Sequence, residues 1–281
     1  MKKLFFLSMV ATTMLSMSSC VSEDIDLNKK AQDPDKGYIA LNVSNDDALT
    51  TRAIHSTNAT GDQVSLDASD WTVSITGSTP YNGTVSGLAS KSFNAAEGYT
   101  ATVSNYVNLA AALADNTGDS YGKAFYQGTS SSFTVTTAQT ITPSIACGKA
   151  KNAKFTINAS VPTSAAITIT ATSGSGDNSR ALTFTKAANG SFDRTTAYFR
   201  AEDEVTIHVV YNSVDLDTSK AKTLTMAGAG TENTLAITTN DNGTISLTIT
   251  YDDEFTTGNT QTIEFDAGTG KTLSVTNTPE P

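Results

Sequence analysis

The chain has 281 residues, with 18 basic and 28 acidic side chains, two histidines, two cysteines and a formal net charge of −10 at pH 7. Such an acidic protein repels the phosphates of nucleic acids and of anionic lipids, which argues against both as partners. His55 and His208 stand far apart, and neither lies in a zinc-ligand spacing. The sequence therefore predicts neither a metal site nor a cofactor.

The start of the chain has the layout of a secretory signal. Two lysines precede an apolar run at residues 4–15, and small residues at 17–20 end in a cysteine. The run is shorter than the roughly 20 apolar residues of a membrane-spanning helix. The segment resembles the bacterial lipobox, which implies a cleaved signal peptide over residues 1–19 and lipidation of Cys20. A soluble secreted protein is the alternative.

Residues 20–36 are polar, without a periodicity that could bury a face, and predict a lipidated tether. Loss of residues 1–19 removes two lysines and changes the formal charge from −10 to −12. The acids Glu23, Asp24 and Asp26 resemble the export signal of Bacteroidetes surface lipoproteins. This resemblance implies an outer-membrane protein, anchored through its lipid and facing the cell exterior; a solvated linker is the alternative.

The remainder of the chain predicts an all-β protein. Thr, Ser, Asn and Gly dominate, and short apolar alternations recur between turn residues. We predict two tandem antiparallel β-sandwich domains, an N-terminal one over 37–150 and a C-terminal one over 151–281. Residues 108–114 are the one stretch with helix propensity, and Asp241-Asn242-Gly243 predicts a hairpin turn.

The sequence contains no convincing set of catalytic residues. Hydrolysis at neutral pH requires a tuned base, a nucleophile or a carboxylate pair. Asp252, Asp253 and Glu254 are adjacent on an extended chain, so they predict a solvated turn. The carboxylates around Gly118 lack the full ligand series of a calcium loop, although a weak calcium site is the alternative to a plain turn. We therefore expect a protein without enzymatic activity.

Cys147 and Trp71 could each serve either the packing of the core or the binding of a ligand. With Cys20 acylated, Cys147 has no cysteine partner within the chain and is expected to pack as a small apolar group. Trp71, the single tryptophan, shares strand parity with Val73 and Ile75, which predicts a core position. The alternative is a carbohydrate-binding accessory lipoprotein, in which Trp71 or the tyrosines form a stacking platform; those tyrosines are Tyr81, Tyr106 and Tyr121.

Several short stretches carry a family resemblance. They are Gly37–Leu41, Thr51–Ala53, Glu97–Thr100, Tyr126–Gly128, Phe133–Val135 and Cys147–Lys154. Over residues 37–152 the chain resembles Bacteroidetes lipoproteins of the domain-of-unknown-function 4493 type, which are similar in architecture to fimbrillins. The resemblance is looser in the second half.

This resemblance implies a cell-adhesion protein or a fimbrillin-like structural component. Its partners would be other surface or pilus proteins or glycans. In fimbrillins an arginine-specific protease cuts after the first strand, and another subunit's strand fills the groove. Arg52 follows the predicted first strand and would be the processing site; an ordinary exposed loop residue is the alternative. The tail from Ser274 onwards has few apolar residues to donate to such a groove.

Overall fold

The computed structural model describes residues 35–44, 55–57, 63–65, 70–174, 179–221, 224–226, 229–240, 243–253 and 256–278. These residues form an all-β fold, which confirms the predicted class. All of them belong to one compact unit, Asp33–Pro281. The predicted lipidation site Cys20 and the predicted processing site Arg52 lie outside the described residues. Within the described part, no helix is long and apolar enough to cross a membrane.

The N-terminal half, which we define as residues 35–150, consists of short strands and two short helices. Its elements are β1 (Lys36–Ile39), β2 (Asn42–Ser44), β3 (His55–Thr57), β4 (Gln63–Ser65), β5 (Thr72–Thr76), β6 (Tyr81–Thr84), α1 (Val85–Leu88), β7 (Phe93–Asn94), β8 (Ala96–Ser104), α2 (Leu109–Ala114), β9 (Ser120–Tyr121), β10 (Gln127–Thr129), β11 (Phe133–Val135), β12 (Thr140–Ile141) and β13 (Ser144–Ala146).

The C-terminal half, residues 152–278, has longer strands and one 3₁₀ turn at Thr218–Lys220. Its strands are β14 (Asn152–Ser160), β15 (Ile167–Ser173), β16 (Arg180–Lys186), β17 (Thr196–Arg200), β18 (Glu204–Tyr211), β19 (Val214–Asp215), β20 (Leu224–Thr225), β21 (Glu232–Thr239), β22 (Thr244–Asp253), β23 (Thr256–Asp266) and β24 (Thr272–Thr278).

The first strand of the fold is paired at both edges. β1 lies antiparallel to β7 and parallel to β12, and β2 continues alongside β13 in parallel. The sequence predicted one strand with Ile39, Leu41 and Val43 on its inner face. The inner face is as predicted, since Ile39 is buried and the other two pack against the same core. The strand is interrupted at Ala40 and Leu41 instead of running on to Val43.

Two larger sheets make up the C-terminal half. The seven-stranded sheet has the order β24-β23-β22-β21-β14-β17-β9, and the five-stranded sheet contains β16-β15-β18-β19 with β20 also paired to β18. Alternate residues of both sheets are buried in one hydrophobic cluster, as the two-residue period of a half-buried strand requires. β14 and β21 are parallel, whereas the sequence predicted antiparallel pairing throughout.

Buried apolar side chains form two clusters. One draws its residues from Ile39 to Ala150, and the other from Ala153 to Phe265. Cys147 is 1% exposed in the first cluster, which confirms its predicted core position. The division into sandwich domains at 37–150 and 151–281 stays a prediction.

Contacts between the halves centre on the segment from α2 to Phe125. β9 adds to the seven-stranded sheet by pairing in parallel with β17. The Arg180 guanidinium donates to the carbonyls of Leu113, at 2.6 Å, and of Tyr198. The Tyr121 hydroxyl donates to the Thr183 carbonyl at 2.6 Å. Side chains from each half therefore satisfy backbone groups on the other.

Asn152 links the halves at the first residue of β14. Its side chain is 1% exposed. The amide oxygen accepts from Phe125 N at 3.0 Å, and the amide nitrogen donates to Lys123 O at 2.8 Å. One side chain thus replaces the missing partner of two backbone groups.

Two local predictions are confirmed. α2 occupies the predicted helical stretch, and the Asn108 side chain accepts from Ala111 N at 2.8 Å as its N-cap. The predicted hairpin joins β21 to β22, with Gly243 at a φ of 80°. That backbone conformation favours glycine.

We predict that Asn152→Ala destabilises the protein. The substitution leaves a buried N–H without its partner, at about 1–3 kcal/mol, and a partly buried C=O, at a smaller cost. The free energy of unfolding, from denaturant titration, measures the loss. Asn158→Ala is the matched control, because Asn158 is exposed on the same strand and its replacement should change stability by less than about 0.5 kcal/mol. Equal effects of the two substitutions would contradict the assigned role.

Candidate functional site

The aromatic residues proposed for sugar stacking do not form a platform. Trp71 is 7% exposed and packs in the N-terminal core, which confirms the predicted core position. The Tyr81 hydroxyl donates to the Thr84 carbonyl at 3.2 Å. Tyr121 packs edge-on against Phe184. Among the described residues, no ring contact joins any two of the four candidate aromatics.

Tyr106 and Asp115 form a polar pair beside α2. The Tyr106 hydroxyl donates to Asp115 Oδ2 at 2.6 Å. Burial raises the pKa of Tyr106, and the bond to Asp115 raises it further. The same bond, with help from the Thr117 hydroxyl and backbone N–H, lowers the pKa of Asp115 to about 2. The Asp115 carboxylate thus accepts hydrogen bonds from both Tyr106 and Thr117 at the start of the predicted turn at Asp115–Asp119.

The described residues contain no cluster of three or more side chains suited to hold a metal ion. In the turn near Gly118, the oxygen Oδ1 of Asp115 accepts from both Thr117 N and Thr117 Oγ1. These are the contacts of an ordinary Asx turn.

A shallow groove of about 420 Å³ lies in the C-terminal half. His208 Nε2 and Asp215 Oδ1 are 2.8 Å apart at one side, and both side chains are more than half exposed. Ser219, Thr269 and Lys271 add polar groups to the lining. The groove offers hydrogen bonds to a polar ligand. Of its residues, sequence reasoning had considered His208 alone.

The ladder of the first strand is relevant to the predicted cut at Arg52. Tyr38 N donates to Gln139 O, Ala40 N to Ile141 O and Asn42 N to Pro143 O. In the reverse direction, Cys147 N donates to Ser44 O. The strand before Arg52 therefore contributes both backbone pairing and core side chains to the N-terminal half.

The last strand, β24, is a feature that the sequence analysis missed. Residues 272–278 form the edge of the seven-stranded sheet, paired with β23 from Thr260↔Thr278 to Phe265↔Thr272. The signal was present in the β-branched residues of Thr-Leu-Ser-Val-Thr-Asn-Thr and in the turn before them. The tail from Ser274 is thus largely built into its own sheet.

Trp71 fluorescence tests the buried placement directly, because the chain has one tryptophan. We expect blue-shifted emission that acrylamide quenches weakly and that oligosaccharides leave unchanged, since the indole is packed in the core. Unfolding in denaturant should shift the emission to the red. Strong quenching of the native protein, or a spectral change on adding sugar, would contradict this placement.

Tyr106→Phe is expected to raise the pKa of Asp115 from about 2 towards its ordinary value of 3.8. In the folded protein the lowered pKa stabilises the fold above pH 3.8, and this stabilisation is lost as the pH falls towards 2. NMR titration of the Asp115 carboxyl carbon measures the shift. Tyr81→Phe is the control, because the Tyr81 hydroxyl binds Thr84, and it should leave the Asp115 titration unchanged.

Comparison with solved structures gives low similarity. A candidate cell adhesion protein of Bacteroides ovatus is 13% identical, with 80% of this chain and 97% of that chain covered and a TM-score of 0.38. A candidate cell adhesion protein of Bacteroides fragilis is 14% identical, with coverages of 78% and 98% and a TM-score of 0.34. A candidate adhesin of Bacteroides ovatus is 9% identical, with coverages of 75% and 92% and a TM-score of 0.36.

No curated protein matches the chain at a significant level. A family model, described as domain of unknown function (DUF4493), matches residues 35–267. The match extends through most of the C-terminal half, where the sequence resemblance had been looser. Because it spans more than half of the chain, this protein belongs to the DUF4493 family.

Proposed function

We propose that this protein is a non-catalytic, surface-exposed lipoprotein that acts as an adhesin or as a fimbrillin-like structural component. The observation that carries the proposal is the β24 edge, an uncharged strand of seven residues with exposed Leu273 and Val275. A strand edge binds another protein through backbone hydrogen bonds and alternate side chains, without any reacting group.

The proposed architecture is two β-sandwich domains, 37–150 and 151–281, on a tether formed by residues 20–36. The two separate hydrophobic clusters support this division. The contacts of Asn152, Arg180 and Tyr121 tie the halves together.

The proposed location is the outer face of the outer membrane, with Cys20 as the lipid-bearing N-terminus after removal of residues 1–19. An acyl chain contributes about 0.8 kcal/mol per buried CH₂, so two or more chains give a stable anchor. Partners in this position would be other surface or pilus proteins or glycans. The acidic net charge of −10 disfavours nucleic acid.

Surface display is tested by antibody labelling of intact and permeabilised cells that produce the full chain. We expect equal labelling of both, together with recovery in the membrane fraction. Cys20→Ser should abolish membrane recovery, because it removes the acylated sulfur. Cells with the wild-type chain should also adhere better to immobilised host proteins or glycans than cells with Cys20→Ser.

Two outcomes would contradict the proposed location. One is labelling that appears only after permeabilisation, and the other is membrane recovery that persists with Cys20→Ser. If the wild-type chain is displayed on the surface but its cells adhere no better than cells with Cys20→Ser, the adhesin role is contradicted, whereas the structural role is not.

We also propose that the lipid-anchored chain is processed afterwards at Arg52, as in fimbrillins, which separates the fold from its lipid anchor. Removal of the chain up to Arg52 would withdraw β1 and β2 and uncover the backbone of residues 138–147, which they now pair with. The other three arginines lie in the described fold. Arg180 and Arg200 belong to strands, and the Arg194 guanidinium lies 4.5 Å from the Tyr121 ring centre.

An arginine-specific protease, applied to the folded full chain, is expected to cut first at Arg52. Mass spectrometry of the fragments identifies the site, and light scattering reports whether the product assembles. Arg52→Lys is the control and should resist the protease. Early cutting at Arg180, Arg194 or Arg200, or a product that assembles no further than the uncut chain, would contradict processing of the fimbrillin kind.

A further inference from the structure

A β-sheet edge is a surface that proteins usually protect. Unpaired backbone N–H and C=O groups recruit other strands, so native edges are kept short, charged, interrupted by proline or covered. The seven-stranded sheet has β9 at one edge and β24 at the other. β9 has two residues, and Tyr121 in it is held against the C-terminal half. β24 has seven residues.

β24 has one of the common protective features, a bulge at Leu273, but lacks the others. Its sequence, Thr-Leu-Ser-Val-Thr-Asn-Thr, contains no charged residue and no proline. Its register with β23 shifts once, between the pairs Glu264↔Ser274 and Phe265↔Thr272, which leaves Leu273 as a bulge; the pairing is regular from Ser274 to Thr278. From Ser274 onwards the strand therefore presents a regular, neutral backbone edge.

Other described edges are protected. β16 is also seven residues long, but it begins with Arg180 and ends with Lys186, and its Thr183 carbonyl accepts from Tyr121. The remaining edge strands among the described residues have four residues or fewer; they are β2, β3, β4, β6, β7, β10, β11, β12, β13, β19 and β20. β24 is thus the one long edge that the described residues leave unpaired.

Two aliphatic side chains of β24 are exposed, although one of them lies on the core face of the sheet. Val275 is directly opposite Ile263, which is fully buried, so both lie on the same face. Val275 is nevertheless 41% exposed, and Leu273, which occupies the bulge two residues before it, is 55% exposed. The β24 edge therefore offers unpaired backbone groups next to two exposed aliphatic side chains, Leu273 and Val275.

A second copy of the same chain fits this edge. Two acidic chains repel each other, and the cost of association is lowest where the contact carries no charge. An antiparallel pair of β24 strands about a two-fold axis through Val275 sets each residue of the strand opposite a residue of the other copy, with the bulged Leu273 facing Asn277. The pairs are Thr272 with Thr278, Leu273 with Asn277, Ser274 with Thr276, and Val275 with itself. No two like charges meet.

We propose that β24 pairs antiparallel with β24 of a second copy, about a two-fold axis at Val275, so that the two seven-stranded sheets become one continuous sheet. The interface is isologous and closes on itself, which makes a dimer and not a filament. Neither copy gives up its own strand. The inference rests on the proposed function in one respect, because common anchoring in one membrane would raise the effective concentration of the two copies.

Cysteine cross-linking in cells that produce the full chain tests the register. In the proposed pair, the Cα atoms of the two residues at position 275 are about 4.5–5.5 Å apart, within the range of a disulfide. Leu273→Cys is the matched control, because the two 273 positions are offset by four residues, roughly 13 Å along the strand. Mild oxidation should therefore give several-fold more dimer for Val275→Cys than for Leu273→Cys.

The control separates pairing from random collision. Leu273 is more exposed than Val275, so collisions would cross-link Leu273→Cys at least as well. The double variant Leu273→Cys/Asn277→Cys restores a facing pair and should restore the dimer. Comparable yields for the two single variants, or a Val275→Cys product only with a protein of another size, would overturn the proposal.

A second measurement is the mass of the purified Cys20→Ser chain by sedimentation, without a lipid to bring copies together. We expect a dimer that Val275→Lys converts to monomer, because two ammonium groups would then face each other. Val107→Lys changes the most exposed of the described large apolar side chains, at 70%, and should leave the dimer intact. Trp71 emission confirms that each variant is folded. A monomer in the unsubstituted Cys20→Ser chain would overturn the proposal without affecting surface display.

Discussion

Asn152 is the point on which the arrangement of the two halves depends. The amide stands where β14 begins, and its bonds to Phe125 N and Lys123 O fix the N-terminal half against the first residue of a central strand. β14 then pairs with β17 on one side and β21 on the other. The Asn152 side chain thus connects the N-terminal half to β14, and the pairing of β14 connects it in turn to β17 and β21 in the seven-stranded sheet.

Features that depend on neighbouring residues were predictable from the sequence. Asn108 before a run of alanines and leucines predicted the helix, which it caps, and Gly243 predicted the hairpin turn. Strand parity placed Trp71 and Ile39 in the core, because alternate residues of a half-buried strand share a face. These signals require no knowledge of which strand pairs with which.

Features that depend on distant partners were not predictable. The parallel pairing of β14 with β21 joins residues more than 70 positions apart, and nothing local distinguishes it from antiparallel pairing. Arg180 and Tyr121 bind backbone groups of the other half, which only the assembled fold identifies. β24 was missed because its inner face is only partly covered, so its residues are mostly hydroxyl-bearing instead of apolar. The Cys20 and Arg52 predictions concern segments beyond the described residues.

The parallel arrangement of β1 and β2 with residues 138–147 has a mechanical consequence. Tension on the N-terminal end pulls β1 backwards along its axis, while the chain leaving β13 is pulled forwards towards the C-terminal half. The backbone hydrogen bonds that hold β1 and β2, from the one donated by Tyr38 N to the one donated by Cys147 N, are then loaded together in shear instead of breaking one after another. In a chain anchored at Cys20 as proposed, a force on the fold would load several of these hydrogen bonds together, whereas an antiparallel hairpin pulled at its two ends opens one bond at a time.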